Sequence, residues 1–87
     1  MPINVTIHEL KINPYAYNAV KNGDKTFEIR INDRVYQKCD QVIFQVWENN
    51  CYNTSYPVIS AEISYVTNFQ QKEGWCVFGL KNVMIGK

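Results

Sequence analysis

The sequence contains few residues of several kinds, and each scarcity argues against a class of protein. It has one histidine and three cysteines (Cys39, Cys51 and Cys76), and no two cysteines are spaced as CxxC. A structural zinc site is therefore not expected, and the odd number of cysteines argues against a complete set of internal disulfides. We predict reduced, mostly buried thiols, as in a cytoplasmic protein.

Long apolar runs and cofactor motifs are also missing. No run reaches the roughly eighteen apolar residues of a membrane span, and no basic-then-apolar leader opens the sequence. The sequence has no glycine-rich phosphate loop, no metal-ligand spacing and no Ser/His/Asp order typical of a hydrolase. We expect no membrane partner, no metal, no cofactor and a cytoplasmic location.

The residues that are present indicate one small globular domain over residues 1–87. The chain is 46% hydrophobic and 14% aromatic, which argues against disorder. Its net charge is only +1, so no global basic field attracts nucleic acid. Residues 11–38 nevertheless hold six of the nine basic residues and only three acidic ones. This local excess indicates either ordinary surface charge or a site for an anionic partner.

One short helix is predicted after the first strand. Asn13 is a good N-cap, and Pro14 suits the first helical position, where its missing N–H costs nothing. Gly23 is placed to end the helix in a left-handed conformation. We predict a helix near residues 14–22. Its narrow apolar stripe consists of Ala16, Ala19 and Val20.

The remaining sequence predicts five or six short strands. They lie near residues 3–8, 26–31, 41–47, 58–66 and 75–80, and residues 83–85 extend the last one or pack separately. In the first strand Ile3, Val5 and Ile7 alternate with Asn4, Thr6 and His8, which puts His8 on the polar side. In the fourth strand one side carries Ile59, Ala61, Ile63 and Tyr65. Short strands with little helix predict a mainly β (α+β) fold, a small closed or half-closed barrel.

The densest group of polar side chains lies in and around the second predicted strand. Successive strand residues alternate sides, so Thr26, Glu28 and Arg30 oppose Phe27, Ile29 and Ile31. Lys25 precedes this row, and Asn32, Asp33 and Arg34 follow it. Arginine binds a phosphate or carboxylate through two parallel hydrogen bonds, and lysine supplies a mobile charge. We predict a site for an anionic or hydrogen-bonding ligand; the alternatives are a simple Glu28–Arg30 pair and a plain turn at 32–34.

Two further groups are weaker candidates. His8 lies on the polar side of the first predicted strand, and Lys11 follows that strand. If the first two strands are neighbours, His8 faces Glu28 and Arg30; otherwise it is an ordinary surface or hydrogen-bonded histidine. Aromatic residues offer stacking platforms for bases, although most are expected to pack in the core or at its rim. The aromatic candidates are Tyr15, Tyr17, Tyr36, Trp47, Tyr52, Tyr56 and Trp75.

The motif between residues 8 and 40 resembles a known family. It reads His8-x-Leu10-Lys11-Ile12-x-Pro14, then Gly23-x-Lys25-Thr26-Phe27-Glu28-Ile29-Arg30-x-Asn32-Asp33-Arg34-x-Tyr36, then Asp40. The chain resembles small bacterial and phage proteins within the ASCH domains, which are similar to the PUA domains, a pseudo-barrel fold that binds RNA. The resemblance implies a barrel whose cleft lies between the helix-to-strand turn and the polar side of the second strand. It implies RNA or a modified nucleotide as the ligand.

The resemblance also bears on catalysis. Some ASCH proteins resemble amidohydrolases of N4-acetylated cytidine, with a lysine, a threonine and a distant glutamate as catalytic residues. Lys25 matches the lysine, Glu28 stands at the threonine position, and residues 66–74 are too few for the insertion that carries the glutamate. Cys39 stands where the family usually has glycine. These departures favour binding over hydrolysis.

The sequence thus supports three hypotheses. The first is an RNA- or nucleotide-binding domain, the second an amidohydrolase of an N4-acylated cytidine-type nucleoside with Lys25 and Glu28 as catalytic residues, and the third a protein-interaction module. The predicted binding residues are His8, Lys11, Lys25, Thr26, Glu28, Arg30, Asn32, Asp33 and Arg34.

Overall fold

The computed structural model describes residues 5–86. In chain order its elements are β1 (Ile7–Ile12), α1 (Pro14–Lys21), β2 (Phe27–Ile31), β3 (Gln41–Glu48), β4 (Cys51–Tyr52), β5 (Ile59–Thr67) and β6 (Trp75–Ile85). The prediction of a mainly β fold with one short helix is confirmed. Residues 83–85 extend the last strand, which is one of the two predicted alternatives.

One sheet organises the domain. Its strand order is β1-β3-β5-β6-β2, and β4 adds a short pair to β3. β1 runs parallel to β3, and the other neighbours are antiparallel. β1 and β2 are the two edges, and no backbone ladder joins them among residues 5–86. The closed or half-closed barrel therefore stays a prediction, and the open seam between β1 and β2 is where the site lies.

The helix begins and ends as its sequence predicts. The Asn13 side chain accepts a hydrogen bond from the Ala16 N–H at 2.7 Å, and Gly23 has a φ of 83°. The buried helical residues are Tyr17 and Val20. Tyr17, which is absent from the predicted stripe, is the main anchor because its ring fills the core and its hydroxyl donates to the Pro57 carbonyl at 2.7 Å.

The first strand has the opposite orientation to the prediction. Val5 and Ile7 are 45% and 60% exposed, whereas His8, Leu10 and Ile12 are buried. Ile3 and Asn4, which belong to the predicted strand, lie outside the described residues. The strand continues to Ile12, so Leu10 and Ile12 decide which side faces the core. His8 lies on the same side as these two residues, and its burial is tolerated because a buried partner satisfies its imidazole.

The second strand alternates as predicted, but its apolar side faces outward. Phe27, Ile29 and Ile31 are between 42% and 53% exposed, whereas Glu28 is 4% exposed. Of the predicted polar row, Glu28 and Arg30 line a cleft. Thr26 is exposed and does not line it.

Two other local predictions need correction. Tyr65 is 66% exposed although Ile59 and Ile63 are buried, because the β5–β6 register shifts between Ile63 and Tyr65 and reverses the alternation. The thiols are free, but Cys39 and Cys51 are exposed and only Cys76 is buried. Cys39 has a φ of 79°, in the left-handed region that favours glycine.

Candidate functional site

A cleft of about 440 Å³ opens at the seam between β1 and β2, beside the start of α1. This volume is within the usual range for small-molecule sites. The lining includes four cationic residues, two acidic ones and two aromatic rings. It consists of Lys11, Ile12, Asn13, Ala16, Lys25, Glu28, Ile29, Arg30, Ile31, Asp33, Arg34, Tyr36 and Trp75.

Glu28 is the buried centre of the cleft. Its Oε1 accepts a hydrogen bond from Arg30 Nε at 3.0 Å. Lys25 Nζ forms an ion pair with its Oε2 at 2.8 Å. The buried carboxylate is therefore held between two cations, and a ligand that displaces either cation gains an acceptor for an N–H or O–H group.

Two arginines cross the seam. Arg30 donates from one terminal nitrogen to the Lys11 carbonyl at 2.8 Å, and Arg34 donates to the Glu9 carbonyl at 3.2 Å. Both carbonyls belong to the free edge of β1. The guanidinium groups thus satisfy carbonyls of an edge on which no strand of residues 5–86 pairs, and they link β1 to β2 and the loop that follows it.

Short-range hydrogen bonds shape the segments that precede and follow β2. The Lys25 N–H donates to the Ala19 carbonyl at 3.0 Å, which fixes Lys25 just past the helix. The Asn32 side chain accepts from the Tyr36 N–H at 3.0 Å. Asn32 therefore shapes the loop rather than binding in the cleft, as its turn-forming chemistry allows.

A buried pair ties the end of this loop to β1. His8 Nε2 lies 2.9 Å from Asp40 Oδ2, and both residues are 4% exposed. Since a carboxylate only accepts, Nε2 carries the proton. Asp40 also accepts from the N–H groups of Thr6 at 3.3 Å and Gln37 at 3.1 Å. Burial alone would raise the pKa of Asp40, but these hydrogen bonds outweigh it and lower the pKa below its ordinary value.

Tyr36 connects this pair to the cleft. Its ring centroid lies 4.8 Å from that of His8 and 4.7 Å from that of Phe78, and the residue also lines the cleft. Burial raises the pKa of the Tyr36 hydroxyl, although the charges of Arg30 and Arg34 oppose the rise. The hydroxyl is therefore protonated at neutral pH and can both donate and accept.

The structure brings together most of the predicted site residues. Lys25, Glu28, Arg30, Asp33 and Arg34 line one cleft. Lys11 lines it too, but its ammonium lies 3.8 Å from the centroid of the Trp47 ring and its carbonyl holds Arg30. His8, Thr26 and Asn32 do not line it.

Some residues of the site were not singled out by sequence. Asp40 was part of the family motif only, and Tyr36 and Trp75 were two of seven aromatic candidates. Nothing local marks them, because their roles depend on partners such as His8, which is 32 residues from Asp40.

Within residues 5–86, no group of three or more histidine, cysteine or acidic side chains is placed to hold a metal ion. In the same range no helix has the length and hydropathy needed to cross a membrane.

The fold and the cleft define a class of protein: a small, mainly β domain with a charged cleft at the open seam of its sheet. Residues 7–80, most of the chain, match DUF3850, a domain of unknown function, and the chain belongs to this family. The matched range contains every residue that lines the cleft. No curated protein matches the chain.

Proposed function

We propose that this chain is an RNA- or nucleotide-binding domain whose ligand occupies the cleft, and that its sheet is an open variant of the ASCH and PUA barrels. The observation that carries the proposal is the buried carboxylate of Glu28, paired with the cations of Lys25 and Arg30, in a cleft of small-molecule size. A site for a simple anion has no use for a buried carboxylate. A site for a nucleotide uses both kinds of group.

The two kinds of group match the two parts of a nucleotide. When the ligand displaces the Lys25 ammonium, Glu28 Oε2 accepts an N–H from the base edge, either an exocyclic amino group or a ring imino group. Lys25 and Arg30 donate to a base carbonyl or to phosphate oxygens. The ring of Tyr36 offers apolar surface to the base. Since the resemblance is to bacterial and phage ASCH proteins, we expect the protein to act in the cytoplasm, where RNA and nucleotides are available.

A binding titration at several salt concentrations tests the proposal. We expect affinity for single-stranded RNA to fall as salt rises, with a logarithmic slope of about −2 to −3 for a few phosphate contacts. Lys25→Ala should weaken binding and make the slope shallower by about 0.7. The matched control is Lys81→Ala, because Lys81 lies outside the cleft and pairs only loosely with Glu62 at 3.7 Å.

The outcomes are distinct. If parent and Lys25→Ala bind RNA and nucleotides equally, or if Lys81→Ala has the same effect as Lys25→Ala, the cleft is not the binding site. A fall for Lys25→Ala alone supports the proposal.

Hydrolysis of an N4-acylated cytidine-type nucleoside is the second candidate. The Lys25–Glu28 contact favours it, because a lysine and a carboxylate 2.8 Å apart can exchange a proton. Against it, the cleft lining contains no serine, threonine, cysteine or histidine. Amide hydrolysis needs an activated nucleophile or water, a proton carrier and a group that stabilises the oxyanion.

We therefore expect little or no turnover of N4-acetylcytidine by the purified protein. The measurement is release of cytidine over time. Robust turnover that disappears in both Lys25→Ala and Glu28→Gln, with both variants folded, would make hydrolysis the first hypothesis. Turnover that persists in both variants would indicate a contaminating enzyme.

A further inference from the structure

A second cavity adjoins the cleft on the outer side of β2. It has a volume of about 240 Å³ and is lined by Ile29, Gln71, Lys72 and Trp75; we call it the outer hollow. Ile29 and Trp75 also line the cleft, so the two cavities meet at the edge of β2. A ligand in the cleft can therefore continue into the outer hollow without crossing the sheet.

The outer hollow has the chemistry of a stacking site for single-stranded nucleic acid. Trp75 is half-buried and offers part of its indole ring, and Ile29 is 50% exposed beside it. Lys72 is exposed and supplies a cation, while no acidic residue lines this cavity. Proteins bind single strands by combining aromatic rings, on which bases stack, with cations that follow the phosphates.

On the basis of the proposed function, we propose that the ligand is a single-stranded oligonucleotide rather than a free mononucleotide. One nucleotide occupies the cleft. The neighbouring base stacks on Trp75 in the outer hollow, and Lys72 contacts the phosphate between them. A peptide would match the apolar walls, but continuity with the four cationic residues that line the cleft favours a polyanion.

The test compares ligands of two lengths on the intact chain. Equilibrium affinities are measured at one fixed salt concentration for each nucleoside 5′-monophosphate and for the RNA tetranucleotide of the same base. For the parent we expect the tetranucleotide to bind at least about 10-fold more tightly. Trp75→Ala should remove roughly 10-fold of that affinity, which is typical for loss of a stacking ring. Lys72→Ala should reduce the gain and leave monophosphate affinity unchanged, and Lys81→Ala should reproduce the parent.

Failure of this inference differs from failure of the proposed function. If monophosphates bind and tetranucleotides bind no better, or if the gain survives both Lys72→Ala and Trp75→Ala, the ligand does not extend into the outer hollow. If neither ligand binds, the proposed function and this inference are both overturned. If the parent is a dimer in sedimentation and Trp75→Ala is a monomer, a second copy covers the outer hollow and the inference is wrong.

Discussion

Replacing Asp40 by alanine is expected to destabilise the domain by about 3 kcal/mol or more, because each hydrogen bond to a charged group contributes roughly 1.5–3 kcal/mol. Asp40 is 4% exposed and accepts from His8 Nε2 and from the N–H groups of Thr6 and Gln37. Alanine leaves these donors without their acceptor. The free energy of unfolding, measured with urea, checks the prediction.

Two further variants make this result specific. Asp24→Ala is the matched control, since Asp24 is exposed and its replacement should change stability by no more than about 0.5 kcal/mol. Asp40→Asn keeps one side-chain acceptor and should lose less than Asp40→Ala, which provides a measurement if the alanine variant does not fold. Equal stability of Asp40→Ala and the parent would contradict the assigned role.

The same carboxyl gives the stability a defined pH dependence. Its pKa in the folded protein lies below the ordinary value of 3.8, so the unfolded chain binds the proton more readily. The contribution of Asp40 is therefore complete above about pH 4 and is lost as the pH falls through the lower folded pKa. In Asp40→Asn the loss of stability over this acid range should be smaller than in the parent.

Arg30→Ala is expected to weaken binding of single-stranded RNA by roughly 1.5–3 kcal/mol, or about 10- to 150-fold. Arg30 lines the cleft, holds Glu28 Oε1 at 3.0 Å and reaches the Lys11 carbonyl at 2.8 Å. Alanine removes a ligand donor and leaves Lys25 as the only ion partner of the buried Glu28 among residues 5–86. The measurement is a titration at constant salt, with folding verified by circular dichroism.

Arg30→Lys separates charge from geometry. It keeps the positive charge but cannot hold Glu28 and the β1 carbonyl at the same time, because an ammonium lacks the planar fork of guanidinium. We expect an affinity between those of the parent and Arg30→Ala. If Arg30→Lys binds as tightly as the parent, only the charge of Arg30 matters. If Arg30→Ala also binds as tightly, the ligand lies elsewhere.

The local features of the fold could be predicted because neighbouring residues determine them. Asn13, Pro14 and Gly23 fix the ends of the helix, and alternation or a run of apolar, β-branched residues located the long strands, although the first of them runs on to Ile12. The side that faces the core was harder to predict, because distant partners decide it. Ile7 is exposed because Leu10 and Ile12 turn the strand the other way, and Tyr65 is exposed because of a shift in register against β6.

The site was predictable to a similar degree. Glu28 and Arg30 lie on one side of β2, so alternation groups them, and Lys25 joins them because it is close in sequence. The opposite wall comes from β1 and the start of α1, and Trp75 comes from β6. No pattern in the chain shows that the two sheet edges face each other, since that depends on how the strands are ordered.

The hydrogen bonds from Arg30 and Arg34 to carbonyls of β1 couple anion binding in the cleft to strand pairing at the edge of β1. An anion that draws Arg30 away from the Lys11 carbonyl exchanges one charge-assisted hydrogen bond for another, so the contact contributes less to affinity than it would in an open site. The same exchange leaves the Lys11 carbonyl, on the edge of β1, without its arginine donor. A strand that pairs with that edge would release the arginines and raise the anion affinity of the cleft. By thermodynamic linkage, a bound anion would raise the affinity of the edge for that strand by the same factor.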